Sequence, residues 1–190
     1  MTGTPGMAQY ELVKVGMQLC IRMFGFRRPF VMGCSGHGLA LGAIVLLAGD
    51  VRVGKRGPKF KLGLNEVAIG MTVPVAGVEM ARHKMPKSAL SRAVTQGTVY
   101  TTDEAVTAGY LDMAVDEADF LATCMAEAER LATLKNPGVS HSAAGACLHA
   151  RRIGRAAAAE TRADSFAAAI RYLIAATLVL YSFPGQRTTS

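Results

Sequence analysis

Residues 28–54 read RPFVMGCSGHGLALGAIVLLAGDVRVG. Phe30 to Cys34 is a short apolar run with the length and composition of a buried strand. It leads into the glycine-rich turn SGHGLALG at 35–42, and GAIVLLA at 42–48 continues as a buried helix. DVRVG at 50–54 then alternates as a second strand. The same succession of strand, turn and helix recurs around residue 66, in KLGLNEVAIG at 61–70. A backbone that turns this sharply into a helix either aims peptide N–H groups at a developing negative charge or serves as a packing turn.

Working outward, Leu12, Val15, Leu19, Cys20 and Met23 recur at three and four, which predicts an amphipathic helix over 8–24, stopped by Arg27, Arg28 and Pro29. Beyond Gly70 the spacing predicts helices over 75–84, 86–95 and 102–108, with Thr102 in the N-cap position before Asp103 and Glu104. A strand from Tyr110 to Val115 follows, then helices over 117–134 and 142–180, the latter broken near Ala163 to Ser165. Strands with helices come first and helices alone come last, so the fold class is α/β. The expected division is a core of strands with helices over 1–116 and a helical region over 117–190.

The chain has 190 residues, 51% apolar and 18% charged, which suits one ordered domain. The net charge is +7, but residues 1–100 hold 13 basic and 4 acidic side chains, against 8 and 10 in residues 101–190. With no tryptophan, and no aromatics interleaved with the basic residues, an anionic small molecule is the expected partner and not nucleic acid. Cys20, Cys34, Cys124 and Cys147 form no CxxC pair and sit in apolar or alanine-rich runs, so they read as core and not as metal ligands. The apolar stretch 172–183 falls short of the ~20 residues of a spanning helix. The start MTGTPGMAQYE lacks an apolar signal core. A soluble protein is expected, of cytosol or organelle matrix.

Gly36-x-Gly38-x-x-x-Gly42 misses the dinucleotide fingerprint, since Leu41 stands where the third glycine belongs, and no GK[ST] follows for a phosphate loop. Glu66, flanked by Leu62, Leu64, Val67 and Ile69, is the candidate acid or base, because apolar neighbours desolvate a carboxylate and raise its pKa. Composition alone also allows it to be a helix cap or an ion-pair partner. His37 reads as a turn histidine hydrogen-bonded to backbone.

RPFVMGCSGHGLALGAIVLLAGDVRVG, GLNEVAIGMTVP at 63–74 and TTDEAVTAGYLDMAVD at 101–116 together resemble the crotonase superfamily, the enoyl-CoA hydratases and isomerases. The resemblance covers roughly residues 8–135. It implies a crotonase-like (ββα)n core, incomplete at the N-terminus, with a C-terminal helical trimerisation region. It also implies acyl-CoA thioester substrates, no further cofactor, and assembly as a trimer or a dimer of trimers. The shared chemistry it implies is an enolate held by two peptide N–H groups, one of which falls on Leu41. Glu66 matches the second catalytic glutamate, while Ile44 stands where the classical hydratases have the first. One carboxylate suits double-bond isomerisation better than hydration. The family's first strands and its FSAG-like loop have no counterpart here, so the chain is expected to be a fragment or a shortened paralogue, weakly active alone and prone to associate. The alternative is a silent paralogue serving as an oligomer subunit or binding module. Arg151, Arg152 and Arg155 read as a solvated basic face.

Overall fold

The computed structural model describes residues 5–26, 28–134 and 178–181. Helix α1 spans Pro5–Phe24, strand β1 Val31–Cys34, β2 Gly38–Leu39, helix α2 Leu41–Leu47, β3 Val51–Lys55 and β4 Leu62–Gly63. A 3-10 turn at Val67–Ile69 precedes α3 Val75–Lys84, α4 Lys87–Val94 and α5 Thr102–Ala108. Strand β5 at Met113–Val115, α6 at Glu117–Ala132 and β6 at Leu178–Tyr181 complete the order. The main sheet runs β5-β3-β1-β6, with β1, β3 and β5 parallel and β6 antiparallel to β1. A second, two-stranded sheet pairs β2 with β4 in parallel.

Successive side chains of a strand point to opposite faces, and β1 is buried on both. Val31 joins Val53, Phe120, Cys124, Ala128 and Leu131, so one face of the sheet packs under α6. Met32 and Cys34 enter the larger core with Met17, Cys20 and Phe24 of α1, Ile44 to Leu47 of α2, and Met80 of α3. That is why FVMGC is continuously apolar and not alternating. Cys20, Cys34 and Cys124 are buried free thiols, as their apolar surroundings predict, and Cys147 lies outside the described residues.

Arg52, 5% exposed, locks the middle of the sheet to the turn before β5. Its Nε and Nη2 donate to the two carboxylate oxygens of Asp112 at 2.9 and 2.7 Å, and its Nη1 donates to Gly109 O at 2.6 Å. A forked guanidinium on a carboxylate fixes direction as well as distance.

Three local readings change. The N-cap of α5 is Thr101, not Thr102: Thr101 Oγ1 accepts Glu104 N–H while the Glu104 carboxylate takes Thr101 N–H, a reciprocal capping box. Thr102 is buried instead, its hydroxyl donating to Lys55 O at 3.2 Å. Tyr110 and Leu111 precede β5 and are core residues, with the strand starting only at Met113. The helix expected over 142–180 ends in error at its C-terminal limit, because Leu178–Tyr181 pairs with β1 as a strand. The rest of that expected helix lies outside the described residues, as do Arg151, Arg152 and Arg155.

Asp112→Ala strands a buried guanidinium, so it should cost about 2–3 kcal/mol, Asp112 itself being 37% exposed and partly screened by water. Urea unfolding of both proteins checks this; equal midpoints would show the pair to be energetically idle.

Candidate active site

The two short parallel strands decide where the chemistry sits. Gly38 N–H donates to Lys61 O at 2.9 Å and Ala40 N–H to Gly63 O at 3.0 Å, pairing Gly38 with Leu62 and Leu39 with Gly63. Parallel strands leave a sheet at the same end. The chain therefore emerges from β2 into Ala40 and Leu41 beside the place where it emerges from β4 into Leu64, Asn65 and Glu66. Gly63 also lets the Thr98–Val99 backbone pass close to β4, since a Cβ there would lie 2.6 Å from Thr98 O.

The first amides of α2 bonded within the helix are those of Ala43 and Ile44, both given to Ala40 O at 2.9 and 3.1 Å. The N–H of Leu41 thus lies outside the helical ladder, as the opening amides of any helix do. Ala40 holds φ 50° and ψ −119°, the one positive φ outside glycine among the described residues. An L-residue is strained there. The Leu41 side chain is half-buried and turns toward α1, into the notch at Gly16: a Cβ on Gly16 would lie 2.7 Å from Leu41 Cδ2.

Glu66 is 4% exposed, and among the described residues it is the one carboxylate-bearing residue that is buried. Its Oε2 has no hydrogen-bond partner among the described residues. Burial pushes its pKa above the ordinary glutamate value, with its own backbone amide pulling weakly the other way. Leu62 and Leu64 are buried as expected, but Val67 and Ile69 are 39% and 59% exposed, so they do not enclose the carboxylate. The backbone of Glu66 is held from below, its carbonyl accepting Ile69 N–H at 3.0 Å and Met71 N–H at 2.9 Å. Upstream, Leu64 N–H donates to the phenolic oxygen of Tyr110 at 3.0 Å.

The remaining sequence candidates are structural. His37 is exposed, and its Nδ1 accepts Lys61 N–H at 3.2 Å, the backbone contact expected of a turn histidine. Ile44 is fully buried in the core and carries no acid function. Asp103 pairs with Arg56 at 2.9 Å, and Glu104 is used up in the capping box, which holds its pKa down. No group of three or more His, Cys, Asp or Glu is placed to hold a metal among the described residues. Nor is any described helix long and apolar enough to cross a membrane.

A family profile described as enoyl-CoA hydratase/isomerase matches residues 5–168. The chain belongs to that family. Its fold is the crotonase-like α/β fold: a family member from Pseudomonas syringae superimposes with TM-score 0.73 at 34% identity, over 84% of this chain and 68% of the other. An enoyl-CoA hydratase from Mycobacterium ulcerans does so with TM-score 0.72 at 28% identity, over 84% and 68%. In sequence, the mitochondrial enoyl-CoA delta isomerase 1 of Mus musculus is 29% identical over 107 residues, 56% of this chain. The matched region spans only 37% of the mouse protein.

Two stability tests follow from this geometry. Ala40→Gly relieves the positive φ and should stabilise the fold by about 1 kcal/mol, read as a higher denaturation midpoint. Glu66→Gln removes a carboxylate that is costly to ionise where it sits. Because the folded pKa lies above 4.5, the native state holds the proton more tightly than the unfolded chain, and stability drains away as pH rises through the folded pKa. The variant should therefore melt higher than the parent at pH 7 and no higher once the pH is below 4.5. A lower melting point at pH 7 would mean that Glu66 is a structural ion-pair partner.

Proposed function

We propose that the protein isomerises the double bond of enoyl-CoA thioesters, with Glu66 as the single acid/base. The observation that carries this reading is the buried, raised-pKa carboxylate of Glu66, with one unpartnered oxygen, emerging beside the turn that bears the Leu41 N–H. Glu66 takes a proton from the α carbon of a 3-enoyl thioester, and the electron pair of that C–H bond moves onto the thioester as an enolate. The Leu41 N–H donates to the enolate oxygen. The electrons then return through the conjugated system, the double bond moves to the 2,3 position, and Glu66 delivers its proton to the γ carbon. No atom is gained or lost.

Hydration is helped by a second carboxylate, since one group must hold and deprotonate a water while another supplies a proton. At the position where the hydratases carry that glutamate, this chain has Ile44 at the centre of its core, fully buried. The similarity to the mouse delta isomerase supports the same choice. We further propose that acyl-CoA is bound without another cofactor and that the working assembly is a homotrimer or a dimer of trimers.

Steady-state assays of 3-enoyl-CoA isomerisation and 2-enoyl-CoA hydration test this reading. Isomerisation should dominate, and Glu66→Gln should lower its kcat at least ~10²-fold with little change in acyl-CoA affinity. Dominant hydration would contradict the one-carboxylate reading. A Glu66→Gln protein that keeps most of its turnover would contradict the role of Glu66, and no turnover at all would favour the silent oligomer subunit.

A further inference from the structure

Tyr110 is completely buried, in a turn between α5 and β5 that is far from Glu66 in sequence and adjacent to it in space. Its hydroxyl oxygen accepts the N–H of Leu64 at 3.0 Å, two residues before Glu66. That amide would otherwise have no partner from the sheet: β4 has ended at Gly63, and the bond that Leu62 makes on its other edge, with Tyr100, is one step behind. The Tyr110 phenol therefore fixes the chain two residues before the carboxylate, and Asn65 O, which accepts Ala68 N–H at 3.1 Å, follows it. Beyond Glu66 the 3-10 turn takes over, with Glu66 O receiving two amides. Burial pushes the Tyr110 phenol well above its ordinary pKa, and the neighbouring Glu66 and Tyr100 add to that, so it stays a neutral hydroxyl at every working pH.

We propose that Tyr110 is a positioning residue for Glu66, clamping the Leu64 amide so that the carboxylate is held at one place and depth beside the Leu41 turn. This rests on the reading of Glu66 as the acid/base. The physical need is specific. Glu66 Oε2 has no hydrogen-bond partner among the described residues, and the carboxylate otherwise leans on its own backbone amide, so its placement is inherited from the backbone. Proton transfer between two carbons of one substrate tolerates little error, since a misplacement of about 1 Å costs on the order of a hundredfold. The role belongs to the hydroxyl and not to the ring, because the ring contact with Tyr100, 5.9 Å between centroids, survives loss of the oxygen.

The test is a double-mutant cycle on kcat and KM for 3-enoyl-CoA, using Tyr110→Phe, Glu66→Gln and both together, with Tyr100→Phe as control. The Tyr100 hydroxyl is also buried but has no partner among the described residues, so its removal should leave kcat within about twofold. Tyr110→Phe should lower kcat at least about tenfold with KM nearly unchanged, and should have no further effect in the Glu66→Gln background. If Tyr110→Phe fails to fold, fluorotyrosine at 110 weakens the acceptor while keeping ring and hydroxyl; it should lower kcat in the same sense by a smaller factor. Additive losses in the double variant, or an equal loss from Tyr100→Phe, would overturn the positioning role and leave the reading of Glu66 intact. Full turnover by Glu66→Gln, or none by the parent, would remove that reading and this role with it.

Discussion

Everything at the site depends on two backbone hydrogen bonds, Gly38 N–H to Lys61 O and Ala40 N–H to Gly63 O. They join two strands of two residues each, too short to hold together alone. Their stability is borrowed from the core on which they lie, where Leu62 and Leu64 join the buried residues of α2. What the pairing achieves is convergence. A peptide N–H from one segment and a carboxylate from another, 25 positions later, leave the same end of the same ladder. Electrostatic help toward a developing enolate is worth most when the donors are fixed before the reaction begins, and a parallel ladder fixes both with one set of bonds.

The chain keeps this arrangement at some cost. A carboxylate sits where water cannot fully solvate it, and an alanine holds a backbone shape that suits glycine. Strain and desolvation of this kind tend to collect at functional sites. The surroundings absorb the side chain of Leu41, which lies against Gly16 of α1. Gly16 lies in the interior of a helix, where glycine is unfavourable by about 1 kcal/mol relative to alanine, and the fit of Leu41 explains its presence. The Arg52 fork on Asp112 holds the turn from which Tyr110 enters the core.

The strands and helices around 28–54 were legible because hydrophobic runs bounded by glycine turns have few alternatives, and the buried cysteines followed from the same runs. Glu66 was legible as a lone acid among apolar residues. What the sequence hid was three-dimensional. The β2–β4 ladder is too short to leave a periodic signal, and Tyr110 reads as one more strand aromatic until its oxygen is seen on Leu64. Val67 and Ile69 look like desolvating neighbours in the sequence, yet the 3-10 turn swings them outward. Thr101 and Thr102 both suit an N-cap by composition, and only the direction of the Glu104 side chain separates them. Leu178–Tyr181 has no local feature that names its partner; β1 accepts it through an open sheet edge.

A single carboxylate that carries one proton between two carbons leaves an isotopic record. With 3-enoyl-CoA deuterated at the α carbon and turned over in ordinary water, mass spectrometry of the product should find part of the label at the γ carbon, and Glu66→Gln should abolish its appearance. A product whose γ hydrogen comes entirely from solvent would contradict direct carriage of the proton by Glu66.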